Sequence, residues 1–142
     1  MHDRLREWEA RGHYLSVGDR RVFTWETGEG RPLVALHGFP ASSYDWRLVA
    51  DRLPGRRFVA LDFFGFGLSD KSPGADYSLF GQAHMVEEVL AQLEVDRCDL
   101  VAHDMGDSVA ADCRFLLRSK SFEGNFDRCS RPNIPPQTRS SR

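Results

Sequence analysis

The sequence has no stretch of ~18 apolar residues, the length a helix needs to cross a bilayer, so no membrane-spanning segment is expected. Its first residues, "MHDRLREWEARGHY", are charged throughout and lack the apolar core of a secretion signal. Cysteine is scarce: Cys98, Cys113 and Cys129 are an odd number without CxxC spacing. They are read as reduced thiols, and a cytoplasmic location is expected. Neither sign of charge dominates, since 19 basic and 21 acidic residues leave a net −2. That balance gives no reason to expect nucleic acid or a membrane surface as partner. No internal repeat is present. At 142 residues with 41% apolar content, the chain suits one soluble domain with its own core.

The even charge hides a split. Residues 1–113 carry 12 basic and 19 acidic side chains, whereas residues 114–142 carry 7 basic and 2 acidic. After about Arg118 no helical or strand period continues, and "SKSFEGNFDRCSRPNIPPQTRSSR" is rich in Ser, Arg and Pro. Two regions are therefore expected: a core over residues 1–118 and a basic, disordered tail over residues 119–142.

Within the core, "HYLSV" and "RRVFTWET" are β-rich runs separated by Gly18-Asp19, which predicts a hairpin from Tyr14 to Thr27. "LVALHG", "RFVALD" and "CDLVAH" are short continuous apolar runs, as expected of strands buried on both faces. Between the first two, Ser42 or Ser43 can cap a helix with Trp46, Val49, Ala50 and Leu53 at helical spacing, stopped by Pro54-Gly55. Ser78 caps a second helix whose buried side is read as Phe80, Ala83, Met85, Val86, Val89, Leu90 and Leu93, with His84 partly buried among them. A third helix begins at Gly106. The pattern gives an α/β fold: an antiparallel hairpin followed by parallel βαβ units.

In an open parallel sheet, ligands gather beyond the carboxyl ends of the strands. Three loops meet that description: "HGFP", "DFFGFGLSD" and "HDMGD". In the last, Asp104 stands on a strand-to-helix turn with the small residues Ala102 and Gly106 at −2 and +2, as a tight nucleophile elbow requires. The following helix aims free N–H groups at the turn, which favours an anion there. Taken alone, Asp104 could equally be a helix cap. "HGFP" can bring the Phe39 N–H close by, and with the Met105 N–H it would form a two-donor pocket for developing negative charge. Its plainer reading is a strand-ending turn. "GFGLSD" has two of the three glycines of a dinucleotide fingerprint and no helix start, so it is taken as a shaped loop and no cofactor is expected. His103, Asp104, Asp107 and Asp112 lack metal-ligand spacing and are read as surface groups rather than a metal site.

Together, "LHGFPASSYDW", "FVALDFFGFGLSDKS" and "LVAHDMGDSVA" resemble the α/β-hydrolase superfamily, in the branch of epoxide hydrolases, haloalkane dehalogenases and, nearest in style, mesoderm-specific-transcript-like hydrolases. The likeness covers roughly Tyr14 to Leu117, the N-terminal half of such a fold, with no cap domain. It implies Asp104 as nucleophile, Phe39 and Met105 as backbone oxyanion-hole donors, and His37, Gly38, Pro40 and Gly106 as the supporting loop. It further implies a small apolar electrophile as substrate, of epoxide, haloalkane or ester type, which forms an ester with Asp104. A histidine then activates water to hydrolyse that ester.

The sequence departs from the family pattern in three respects. The Phe39 and Met105 side chains have no N–H to hold a halide, where dehalogenases carry such donors. Asp107 stands where glycine is commonest. None of His2, His13, His37, His84 or His103 matches the family's base, which lies further along with its orienting acid. A truncated or frame-shifted product of low or no turnover is expected, with an unpaired "CDLVAH" edge that favours self-association. Two rival readings are a non-catalytic remnant or interaction protein, and a serine esterase using Ser108, which lies inside the helix rather than on the turn.

Overall fold

A computed structural model describes residues 2–119, with side chains over residues 3–113. The order of elements is α1 (His2–Glu9), β1 (His13–Val17), β2 (Arg20–Thr27), β3 (Arg31–Leu36), a 3₁₀ turn (Ser43–Trp46) running into α2 (Arg47–Ala50), β4 (Arg56–Leu61), α3 (Leu79–Gln92), β5 (Asp99–Ala102) and α4 (Met105–Ser119). The tail expected from residue 119 lies, apart from Ser119 itself, outside the described residues, as does Cys129.

The hairpin forms as expected. β1 and β2 pair from His13 opposite Thr24 to Val17 opposite Arg20. Gly18 takes φ +61° at the first position of the two-residue turn, a conformation that costs glycine little. The five strands lie in the order β1-β2-β4-β3-β5. β2 meets β4 antiparallel, while β4, β3 and β5 run parallel. Leu36 pairs with Leu61 on one side and Ala102 on the other, so three strands end at one level and release their loops together.

Alternation along the strands divides the core into two layers. Val34, Leu36, Val59 and Leu61 pack against α3 and α4 through Ala83, Val86, Val89 and Val109. Ala35, Phe58 and Ala60 face the other way, onto an aromatic cluster with Trp8, Phe23 and Trp25 under α1 and α2. The segment after β3 thus leaves toward the aromatic layer and the helix after β5 toward the aliphatic one. Adjacent strands whose connections part to opposite faces open a crevice between their ends, which is where ligands sit in such sheets.

Several expectations are corrected. The helix expected after Ser42 is a 3₁₀ turn and a single α-helical turn ending at Ala50, with Ser42 Oγ accepting the Tyr44 N–H at 3.4 Å. On α3, Ser78 caps as expected by accepting the Gly81 N–H at 3.0 Å, but Phe80 is 70% exposed and His84 is exposed. Gln82 takes the buried place between them. Its amide receives the Phe64 N–H at 3.0 Å and donates to the Phe64 carbonyl at 2.9 Å. At 100° per residue, positions two away on either side of Gln82 turn outward. α1 was not expected at all; Trp8, 4% exposed, anchors it among Phe23, Trp25 and Tyr44. Cys98 and Cys113 are free and buried, and burial pushes their thiols up to about 11 and about 12. Among the described residues no helix is long and apolar enough to cross a membrane.

Candidate active site at the crevice between β3 and β5

Asp104 is the first residue beyond β5 to leave the sheet direction. Its φ of +51° is one of two positive values among the described non-glycine residues, a left-handed conformation at which a Cβ is crowded. The turn is closed by main-chain bonds from Gly106 N–H to the His103 carbonyl (2.9 Å) and from Asp107 N–H to the Asp104 carbonyl (3.0 Å). Gly106 is buried where a Cβ would stand 2.5 Å from the Leu36 carbonyl oxygen and 2.6 Å from that of His37. Gly38 is equally confined, since a Cβ there would stand 2.8 Å from the Asp104 Cβ. Both glycines let the β3 and β5 loops come into backbone contact.

That approach brings the sequence-predicted donors to the carboxylate. The Phe39 N–H donates to Asp104 Oδ2 at 2.8 Å. This bond, followed by one from the Met105 N–H, holds the Asp104 carboxyl below the ordinary 3.8. The side chain is exposed, so the anion is presented to solvent while its main-chain partners are fixed. An N-capping aspartate has extended φ/ψ and accepts from the second or third helical N–H. Asp104 does neither, which sets the cap reading aside.

His37 is 1% exposed and ties two of the loops together. Its Nε2 lies 3.0 Å from the Phe63 N–H and must accept, so Nδ1 carries the proton and donates to the Gly38 carbonyl at 2.8 Å. Burial pulls its pKa below 6.5, in keeping with that neutral tautomer. His37 is therefore a strut that aims the Phe39 N–H, with neither nitrogen left for proton transfer. Pro40 follows a cis Phe39-Pro40 bond, while the Phe39 ring, 67% exposed, stands edge-on to Phe66 at 5.9 Å.

Sequence reasoning missed Asp62. It is fully buried at the end of β4, with Oδ1 accepting from the Ser43 N–H (2.6 Å) and Oδ2 from the Leu68 N–H (2.8 Å). The Ser69 hydroxyl donates to its carbonyl at 2.6 Å. A Cβ on Gly67 would collide with this carboxylate, which explains the glycine in "GFGLSD". The available signal was an acid directly after an apolar strand, at the head of a glycine-rich loop.

None of His13, His84 and His103 hydrogen-bonds to the carboxylate, although His103 lies close enough for its charge to help lower the Asp104 pKa. His103 lines a cavity of about 190 Å³ with Asp45, Trp46 and Val49, which Asp104 does not line. His13 lies on β1 beside Glu26 at 3.9 Å, and His84 is on the outer face of α3. Ser108 lies within α4, off the elbow. No group of three metal-ligating side chains occurs among the described residues.

A family model for the alpha/beta hydrolase fold matches residues 31–111, which span β3 to α4. The chain belongs to the α/β-hydrolase fold family. LipZ, a Mycobacterium tuberculosis protein named as a hydrolase, is 42% identical over 123 residues, covering 86% of this chain and 41% of that relative. The mesoderm-specific transcript protein of Mus musculus is 40% identical, covering 80% and 36%. Among solved structures, haloalkane dehalogenase DatA from Agrobacterium tumefaciens C58 superimposes with a TM-score of 0.68 at 32% identity, covering 80% of this chain and 38% of that one. An epoxide hydrolase from Vigna radiata gives 0.66 at 30% identity, covering 73% and 35%. The chain spans about two-fifths of the length of the relatives it matches.

Proposed function

We propose that Asp104 is a nucleophile that forms an ester with a small apolar electrophile, an epoxide or a haloalkane, and that this 142-residue chain performs the first half of a hydrolysis. One observation carries the reading: a carboxylate on a left-handed elbow at the sheet's crevice, resting on the Phe39 N–H at 2.8 Å. A serine there would need a base, whereas a carboxylate is already charged.

Oδ2 rests on the main-chain donor while the other oxygen attacks the saturated carbon from behind its leaving bond. With an epoxide, the C–O bond breaks as the new C–O bond forms, and the ring oxygen keeps the electron pair and takes a proton from water. With a haloalkane, halide departs with the pair. Oδ2 becomes the ester carbonyl oxygen, so the donors at Phe39 and Met105 await the charge that develops on it when water later attacks. The apolar rim of Phe39 and Phe66 suits an apolar substrate. Phe39 and Met105 supply no side-chain N–H for a halide, which favours epoxides. No histidine is hydrogen-bonded to Asp104 among the described residues, so the water is left without a positioned base and the ester accumulates. With Cys98 and Cys113 both free, we place the protein in the cytoplasm.

Intact-mass spectrometry after incubation with styrene oxide and with 1-bromobutane tests this. The expected result is one covalent adduct, absent from Asp104→Asn, without steady product release. No adduct with either reagent would sink the nucleophile, and sustained turnover would sink the stalled second half. The rival reading, a non-catalytic interaction protein, is favoured by the lack of a histidine hydrogen-bonded to Asp104 and predicts no adduct at all.

A further inference from the structure

α1 carries Arg4 and Arg6, Arg11 follows in the turn after it, and the helix lies against the segment Ser43–Ala50 over the aromatic layer. The two leave a cleft of about 320 Å³ between them, separate from the crevice that holds Asp104. Its walls include Arg4, Arg11 and Arg47, with Trp8 and Tyr44 between them. Arg47 Cζ lies over the Tyr44 ring, 3.8 Å from its centroid, and the guanidinium spends one N–H on the Tyr44 carbonyl at 2.9 Å. Arg11 stands 5.8 Å from the Trp8 ring and 5.5 Å from Trp25. A guanidinium stacked on a ring is held in place by its face, which leaves its in-plane donors for a planar anion.

Apart from the Arg47 bond to the Tyr44 carbonyl, those donors form no hydrogen bond among the described residues. None of the three arginines forms an ion pair among the described residues, although Glu7 and Asp51 border the same cleft. Three cations against two carboxylates leave the cleft with one positive charge in excess. Trp8 is 96% buried, and its remaining surface lines the cleft. Leu48, 53% exposed, gives the remaining wall an apolar surface that a ligand could cover. The volume falls at the lower end of small-molecule sites.

We propose that this cleft binds a small organic monoanion, a carboxylate with a planar or short apolar body. The carboxylate sits against the guanidinium edges of Arg11 and Arg47, and the body rests on Trp8 and Leu48. Glu7 and Asp51 exclude polyanions by repulsion, which sets the preference for a single charge.

The test is a titration of the 142-residue chain with phenylacetate, followed by tryptophan fluorescence and by calorimetry. Phenylacetamide, its neutral counterpart, serves as comparator, and every titration is repeated in sodium sulfate at matched ionic strength. Saturable phenylacetate binding is expected, with phenylacetamide at least tenfold weaker. Arg47→Met and Arg11→Met should each weaken it at least fivefold with far-UV circular dichroism unchanged, and Arg97→Met, remote from the cleft, should not. Arg4→Gln, on the exposed side of α1, is a second variant that spares the aromatic stack and should weaken binding about twofold. Equal binding of the amide, loss of the signal in sulfate, or no saturation by ~10 mM, where binding is worth under 3 kcal/mol, would each overturn the proposal. Asp104→Asn is expected to leave phenylacetate affinity unchanged, so failure at one site is distinguishable from failure at the other.

Discussion

Asp62 and Asp104 follow β4 and β5, the two strands that flank β3, and their surroundings are opposite. Asp62 is fully buried, with both oxygens committed to main-chain N–H groups of other segments. Asp104 is exposed, with Oδ2 on a single neighbouring loop. The first ties the 3₁₀ turn to the "GFGLSD" loop; the second is presented to whatever enters. The same side chain serves structure where its surroundings close over it and suits chemistry where they hold it open. Substitutions should therefore separate the two by readout.

The largest effect is expected at Asp104. Asp104→Asn should abolish covalent labelling by styrene oxide altogether while moving the thermal midpoint by less than ~5 °C, the shift that about 1 kcal/mol produces in a domain of this size. Asp62→Ala should do the reverse. It leaves the Ser43 and Leu68 N–H groups without their charged acceptor in a buried place, at a cost of about 3 kcal/mol in urea unfolding. Comparable losses of stability in both variants would erase the distinction.

A smaller effect is expected at the shared hinge. Gly106→Ala would force a Cβ against the Leu36 and His37 carbonyls, at a cost of about 2 kcal/mol, and slow labelling because the elbow must shift. Acid should act most gently. His37 is held neutral by burial, whereas in the unfolded chain it binds a proton below its ordinary 6.5. Below that value the unfolded state takes up more protons, so stability should fall as pH drops from 6.5. The fall should be shallower in His37→Gln. Labelling, in contrast, should stay level across this range, because the Asp104 carboxyl sits below 3.8.

Much of the site could be read from the sequence because its parts are local. A turn that must be tight declares itself through Ala102 and Gly106, and three apolar runs ending in "HGFP", "DFFGFGLSD" and "HDMGD" announce parallel strands with loops at one end. What escaped was non-local. α1 is fastened by one tryptophan among charges, too little for a hydrophobic period. Gln82 is buried because its amide fits the Phe64 backbone, a match made across the fold, and that displaced Phe80 and His84 outward. Asp62 and His37 gain their roles only when Ser43, Leu68 and Phe63 are brought to them.

The ring of His37, gripped at both nitrogens between the first and second strand-end loops, has a thermodynamic consequence. Those two bonds tether the segments around the carboxylate to one another in the folded chain, before any visitor arrives. An electrophile of the proposed kind would then surrender chiefly its own tumbling and drift, with less ordering of its host to bear. On the proposed reading, even a compact molecule with few handles would be held beside the anion at a lower entropic cost.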